Sequence, residues 1–282
     1  NHPAPPKVGI TARESGTYND FTNINIGGVT SDGRDGVSEV SYIMLEVVEE
    51  LHILQPGNSV HVSSKTPDRF VNAACKVIRQ GHGYPSVFNP DVYILELMRQ
   101  GKSLKDAREG GCSGCIEVGA FGKEAYILTG YLNVPKVFEV TLNNGIDPVT
   151  GKIAGIATGD PREFESYEEL YQAFLTQLNF IVDTKIKVSN YIDRMFAKYA
   201  PAPFLSVVIE DCIKKGRDYY DAGPRYNTNY IQCTGLGTVT DSLSALKTHV
   251  FEQQTFSMER VLDAVAKNFD GEEFLRQTIL NK

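Results

Sequence analysis

No apolar run in the 282-residue chain approaches the roughly 18 residues of a membrane-spanning helix, which excludes a helical span on sequence grounds. No basic stretch leading into an apolar one opens it, so a secretory leader is not expected. Cysteine is scarce: the five (Cys75, Cys112, Cys115, Cys212 and Cys233) are odd in number and scattered. They fit free thiols in a reducing cytoplasm better than a secreted disulfide framework. Basic residues never cluster beyond Lys214-Lys215-Gly216-Arg217, and 28 basic against 35 acidic side chains leave a net charge of −7. Binding a phosphate backbone needs a clustered cationic excess, so nucleic acid is not an expected partner. The basic tetrapeptide suits the C-terminal dipole end of a helix instead. Internal repeats, low-complexity runs and linkers are absent as well.

Apolar residues make up 41% and charged ones 22%, which is ordinary globular usage. A chain this long buries about 75% of its unfolded surface on folding, enough for a core without staples. Asn1-His2-Pro3 lacks an initiator Met and Asn281-Lys282 stops just after a helical pattern, so an excerpt of a longer protein is expected.

The patterns predict helices from Val37 to Leu54, from Pro67 to about Gln80 with Thr66 as N-cap, from Pro90 to Arg99 and from Ser103 to about Glu109. Short strands are expected around His61 and over Pro85–Phe88. The segment Cys115–Val118 looks extended, and Lys136–Thr141 alternates as a strand should. The longest helix pattern spans Ser166 to about Lys198, with a capping box from Ser166 to Glu169. Leu170, Phe174, Leu178, Ile181, Ile192 and Met195 form its apolar stripe, read as core packing. Further helices are expected over Leu205–Lys214, Thr240–Val250, Ser257–Lys267 and Gly271–Leu280. Helices alternating with short strands make the class α/β or helix-rich α+β.

Few patterns carry chemistry. The five His residues form no metal motif, and His82 between two glycines reads as a loop residue. Gly145 to Lys152 has the wrong spacing for a P-loop. Gly235-Leu236-Gly237 lacks the third glycine of a dinucleotide fingerprint, so a closely packed turn is the better reading. The strongest signal is Gly111-Cys112-Ser113-Gly114-Cys115-Ile116-Glu117-Val118-Gly119. A CxxC suggests redox or zinc chemistry, but β-branched residues follow where a thioredoxin-type helix would begin, and no second pair completes a zinc site. Two readings stay open: buried structural cysteines beside a glycine turn, or a reactive pair. On an extended segment Cys115 and Glu117 would point to one face, about 6.6 Å apart along the strand, and address one small molecule together. Ile116 and Val118 would then face the packing.

Gly114-Cys115-Ile116-Glu117 resembles the cysteine-loop signature of the glycyl radical enzymes, the family of pyruvate formate-lyase and the diol and choline lyases. Gly81-His82-Gly83-Tyr84-Pro85-Ser86, Gly223-Pro224-Arg225-Tyr226-Asn227, Asp241-Ser242-Leu243 and Asn268-Phe269-Asp270-Gly271 are similar to further blocks of that family. The resemblance covers essentially all 282 residues. The runs Glu117–Tyr126 and Glu14–Thr22 look like the subgroup that dehydrates hydroxyproline, with Val118 standing where diol dehydratases carry Pro.

The resemblance implies part of a ten-stranded β/α barrel, with residues 1–282 forming the central part of a single pyruvate formate-lyase-like domain and the C-terminal glycyl radical domain absent. By the same resemblance Cys115 is the thiyl-radical cysteine and Glu117 the acid/base, while Ser15, Asp20, Phe21 and Tyr131 line the substrate pocket; Cys112 is a spectator. The implied cofactor is a protein-based glycyl radical outside this chain, because no RVxGY-type run occurs here. No metal is implied in the chain; S-adenosylmethionine and an iron–sulfur cluster belong to a radical-generating activating enzyme, the implied partner beside a second copy of the parent. The expected location is the cytoplasm. The implied reaction is radical dehydration of trans-4-hydroxy-L-proline to pyrroline-5-carboxylate. A lyase acting on a diol, choline or sulfonate, and a scaffold that kept the fold without the radical, are the alternatives.

Overall fold

The computed structural model describes residues 23–52, 56–113 and 116–280. Its first elements are β1 (Asn23–Gly27), α1 (Glu39–Leu51), β2 (Gly57–His61), α2 (Asp68–Ile78), β3 (Ser86–Phe88), α3 (Pro90–Arg99) and α4 (Leu104–Arg108). Next come β4 (Gly111–Ser113), β5 (Glu117–Gly119), β6 (Glu124–Asn133), α5 (Val134–Leu142) and α6 (Tyr167–Tyr199). The last are α7 (Pro203–Val208), α8 (Cys212–Lys215), β7 (Tyr226–Thr234), α9 (Leu236–Leu246), α10 (Met258–Ala266) and α11 (Glu273–Leu280). Two compact units result, one of the described residues up to Ile127 with Phe196–Tyr230, the other of Leu128–Met195 with the described residues from Ile231 onward. Among the described residues no helix is long and apolar enough to cross a membrane.

In the first unit β1, β2 and β3 form a parallel sheet in that order. Parallel neighbours need crossover connections, and α1 and α2 supply them. Strand side chains alternate between the faces, so register decides which residues meet. Ile26 pairs with Val60, and both pack against Leu45 and Val48 of α1 and Phe70, Ala74 and Val77 of α2. On the other face Asn25 pairs with Ser59, and Gly27 with His61. This face is polar, and α3 and α4 lie towards it through a second core of Tyr93, Ile94, Leu97 and Ala107, joined by Phe88 and by Val118 of β5.

His61 is 2% exposed, with its ring nitrogens 3.1 Å from the Ser59 hydroxyl and 3.0 Å from that of Tyr93, and its ring stacked on Phe88. Burial lowers its pKa from 6.5 to about 4. The unfolded chain therefore takes up a proton at a higher pH than the native one. The neutral ring's contribution is complete above pH 6.5 and is lost as the pH falls towards 4, by at most ~3 kcal/mol. The drop in urea midpoint between pH 7 and pH 5 should be larger in the wild type than in His61→Asn. Equal drops would disprove the assignment.

In the second unit α5 follows β6 directly. Asn133 caps it by accepting from the Lys136 N–H at 3.2 Å, and Pro135 occupies its first turn. Val134, Val137, Phe138 and Thr141 are buried at helical spacing. They meet Leu170 and Phe174 of α6, Val239, Leu243 and Leu246 of α9, Val261 and Ala264 of α10, and Leu275 of α11, or line the same core. The strand expected over Lys136–Thr141 is thus a helix: burial of adjacent residues on a helical face only imitates alternation.

Other expectations shift by register or by distant contacts. Thr66 accepts the Ser63 N–H at 2.9 Å and closes a turn, leaving Pro67 at the N-cap of α2. The Ser166 hydroxyl accepts from Glu169 N–H at 3.2 Å, but the Glu169 carboxylate reaches back to Glu165 N–H at 2.9 Å. The apolar stripe of α6 packs at Leu170 and Phe174, whereas Ile192 and Met195 are exposed. The single helix expected over Leu205–Lys214 is split into α7 and α8 by Asp211, which sits in left-handed backbone at φ 75° and is bound by Arg225. The helix expected over Thr240–Val250 starts earlier as α9 and ends in a wide π-type turn, Lys247–Glu252. Gly235 makes the expected close-packed turn at φ 77°, where a Cβ would meet Pro135 at 2.4 Å.

Candidate active site around Glu117

Glu117 opens β5, and β5 pairs antiparallel with β4: Gly111 with Gly119, Cys112 with Val118, Ser113 with Glu117. Between Ser113 and Glu117 the chain carries Cys115, which lies with Gly114 outside the described residues, as do Ser15, Asp20 and Phe21. Glu117 is half-buried, and its carboxylate accepts the Ile116 N–H at 3.0 Å. Ile116 is 63% exposed, so the expectation that it faces the packing fails, because it belongs to the turn and not to the strand. Val118 packs inward as expected.

The hairpin is pinned from three directions within the first unit. From β1, the Asn25 side-chain carbonyl accepts the Cys112 N–H at 2.8 Å while its amide donates to the Cys112 carbonyl at 3.0 Å. The Tyr230 hydroxyl donates to the Val118 carbonyl at 2.6 Å. Burial, then Glu124 and Glu117, push the Tyr230 phenol up, so it keeps the proton it donates. The Glu124 carboxylate accepts the Ala120 N–H at 2.7 Å just past the strand. Gly119 must lack a side chain, since a Cβ there would stand 2.5 Å from both the Glu124 carboxylate and the Tyr126 hydroxyl. That Tyr126 hydroxyl is buried and has no hydrogen-bond partner among the described residues. Its ring lies parallel to that of Tyr230, 6.1 Å away.

Glu124 rests on Lys102, 3.0 Å away with both side chains almost wholly enclosed, and it accepts from the Thr228 hydroxyl. The neighbouring Lys123 binds Asp106 at 2.8 Å and Glu109 at 2.5 Å. Burial would raise the Asp106 carboxyl, but hydrogen bonds from Lys123, Tyr226 and Ser103 outweigh it and hold it well below the usual carboxylate range. Glu117 therefore projects from a fixed backbone. Cys112, on the paired strand opposite Val118, is 1% exposed. Tyr131 lies on β6 in the second unit, 62% exposed. Among the described residues no group of three or more His, Cys, Asp or Glu could hold a metal ion. Asn25, Tyr230 and Glu124 escaped the sequence reading. Nothing local marks them, because each acts on backbone at least four residues away.

A model of the pyruvate formate lyase-like family matches residues 1–282. The chain is 52% identical over 282 residues to the trans-4-hydroxy-L-proline dehydratase of Clostridioides difficile, covering 100% of this chain and 36% of that relative. The crystal structure of hydroxyproline dehydratase from the same organism, with trans-4-hydroxy-L-proline bound, aligns with a TM-score of 0.87 at 53% identity. That alignment covers 96% of this chain and 34% of the other. The glycerol-bound form of the B12-independent glycerol dehydratase of Clostridium butyricum aligns with a TM-score of 0.87 at 32% identity, over 94% of this chain and 34% of that one. The chain thus spans about a third of the length of the relatives it matches. Its helix-rich α/β architecture is that of a portion of their barrel fold. Matched from end to end, the chain belongs to the pyruvate formate lyase-like family.

Proposed function

We propose that this chain is the central part of a single barrel domain in a longer glycyl radical dehydratase, which removes water from trans-4-hydroxy-L-proline to give pyrroline-5-carboxylate. The observation that carries this reading is the 52% identity, across all 282 residues, to a dehydratase of that substrate. A carboxylate on a pinned hairpin, two residues from Cys115, agrees with it.

A glycyl radical outside this chain supplies, when present, the unpaired electron. Cys115 is the hydrogen carrier, since a sulfur–hydrogen bond is weak enough for reversible exchange with carbon. As a thiyl it takes a hydrogen atom from the ring carbon beside nitrogen and becomes a thiol. Glu117 gives a proton to the 4-hydroxyl, which leaves as water, because hydroxide itself is a poor leaving group. The ring nitrogen's proton passes back to Glu117 as the carbon–nitrogen double bond forms. Cys115 then returns a hydrogen atom to carbon 4 and is again a thiyl. Ser15, Asp20, Phe21 and Tyr131 line the pocket in this reading. A radical S-adenosylmethionine enzyme carrying an iron–sulfur cluster activates the parent, which pairs with a second copy in the cytoplasm.

The test is the full-length parent, activated without oxygen and offered trans-4-hydroxy-L-proline or glycerol. The amino acid should be preferred in kcat/KM by about 10⁴-fold or more, the discrimination expected of a site built to hydrogen-bond its substrate. Turnover of glycerol alone would overturn the substrate assignment.

A further inference from the structure

We propose that Asn25 is a positioning residue for Glu117, holding the β4–β5 hairpin in register from the face of the parallel sheet; the inference rests on the function proposed above. Asn25 lies on the polar face of β1, opposite Ser59 on β2. Its amide makes two bonds to one residue, accepting from Cys112 N–H at 2.8 Å and donating to Cys112 carbonyl at 3.0 Å. A side chain here does what a neighbouring strand would do, and fixes both the height and the tilt of β4. Cys112 is the register partner of Val118, the residue after Glu117. The far side of that pair is held by Tyr230, which donates to the Val118 carbonyl at 2.6 Å.

Asn25 is itself supported from below. The Ser59 hydroxyl lies 3.3 Å from the Ile24 carbonyl and 3.1 Å from a ring nitrogen of His61, whose other nitrogen meets the Tyr93 hydroxyl at 3.0 Å. This buried row links β1, β2 and α3 beneath the asparagine, so the amide is attached to sheet and not to loop. Preorganisation of this kind sets rates because a proton passes between a carboxyl and a leaving hydroxyl only over a short, aligned separation. Misplacement by about 1 Å costs on the order of 100-fold.

Asn25→Asp is nearly isosteric. It keeps the bond from Cys112 N–H and turns the other into an oxygen facing an oxygen. In the full-length parent, activated without oxygen, kcat should fall about 10- to 100-fold while KM stays within about twofold. The glycyl radical content, read by electron paramagnetic resonance, should be unchanged. Tyr230→Phe, which removes only the hydroxyl on the opposite side, should repeat this pattern and serves if Asn25→Asp does not fold. An unchanged kcat in the folded variants, or a kcat that falls only in proportion to radical content, overturns the proposal. Failure of the underlying reading is distinguishable: Cys115→Ser would then retain turnover, whatever the Asn25 variants do.

Discussion

On the proposed reading, Cys115→Ser in the full-length parent abolishes dehydration, a loss of about 10⁴-fold or more, and Glu117→Gln separates the two halves of the reaction. Serine is close in size, but its oxygen–hydrogen bond is too strong to be opened by a carbon-centred radical, so no hydrogen carrier forms. Glu117→Gln keeps the shape and removes the proton. Hydrogen abstraction then still occurs, while loss of the 4-hydroxyl slows by about 10²- to 10⁴-fold. The two are told apart in heavy water. The thiol of Cys115 exchanges with solvent, so a hydrogen carrier that runs in reverse labels the substrate with deuterium. Activated Glu117→Gln parent should return deuterated hydroxyproline, and Cys115→Ser should return it unlabelled. Dehydration by the serine variant would end the radical assignment, and absence of label from the glutamine variant would show that Glu117 is needed before the hydroxyl leaves.

The surroundings of Glu117 favour this division of labour. Its carboxylate accepts the backbone N–H of Ile116 in its own turn, and it is half-buried. Its backbone, by contrast, is tied to Asn25, Tyr230 and Glu124 through residues on either side. The position of the acid is thus set by residues other than itself.

The proposed cysteine and carboxylate stand out because they are two apart in one motif, and the class of fold was legible from helices alternating with short strands. What could not be read is nonlocal. Asn25 carries no local signature of its role, which comes from lying opposite Ser59 and beneath Cys112, residues 34 and 87 positions away. Asp211 breaks a helix pattern through Arg225, 14 residues on. A different failure occurs at Lys136–Thr141, where the signal was present: Asn133 and Pro135 are a cap and a first-turn proline, and they outrank an alternation that spans only six residues. Strand β6 was missed because its mixed burial follows neither period cleanly.

The second large effect is expected at Lys102, beneath the hairpin. Its ammonium lies 3.0 Å from the Glu124 carboxylate, with side chains 2% and 0% exposed, and 2.7 Å from the Gln100 side-chain oxygen. Two charges removed from water this completely are held by each other and by the bonds from Ala120 and Thr228 to Glu124. Lys102→Met leaves the carboxylate buried without its cation, and breaking such a pair from one side costs about 3–5 kcal/mol. Replacing both, as Lys102→Met with Glu124→Gln, removes the uncompensated charge while the glutamine oxygen can still accept the Ala120 N–H. The double variant should therefore be more stable than Lys102→Met alone, recovering roughly 1–3 kcal/mol in a denaturant titration. Additive losses would mean that the two groups do not depend on each other. A pair that proved replaceable in stability but not in kcat would tie this buried charge to the placement of Glu117 through Ala120, three residues along the chain.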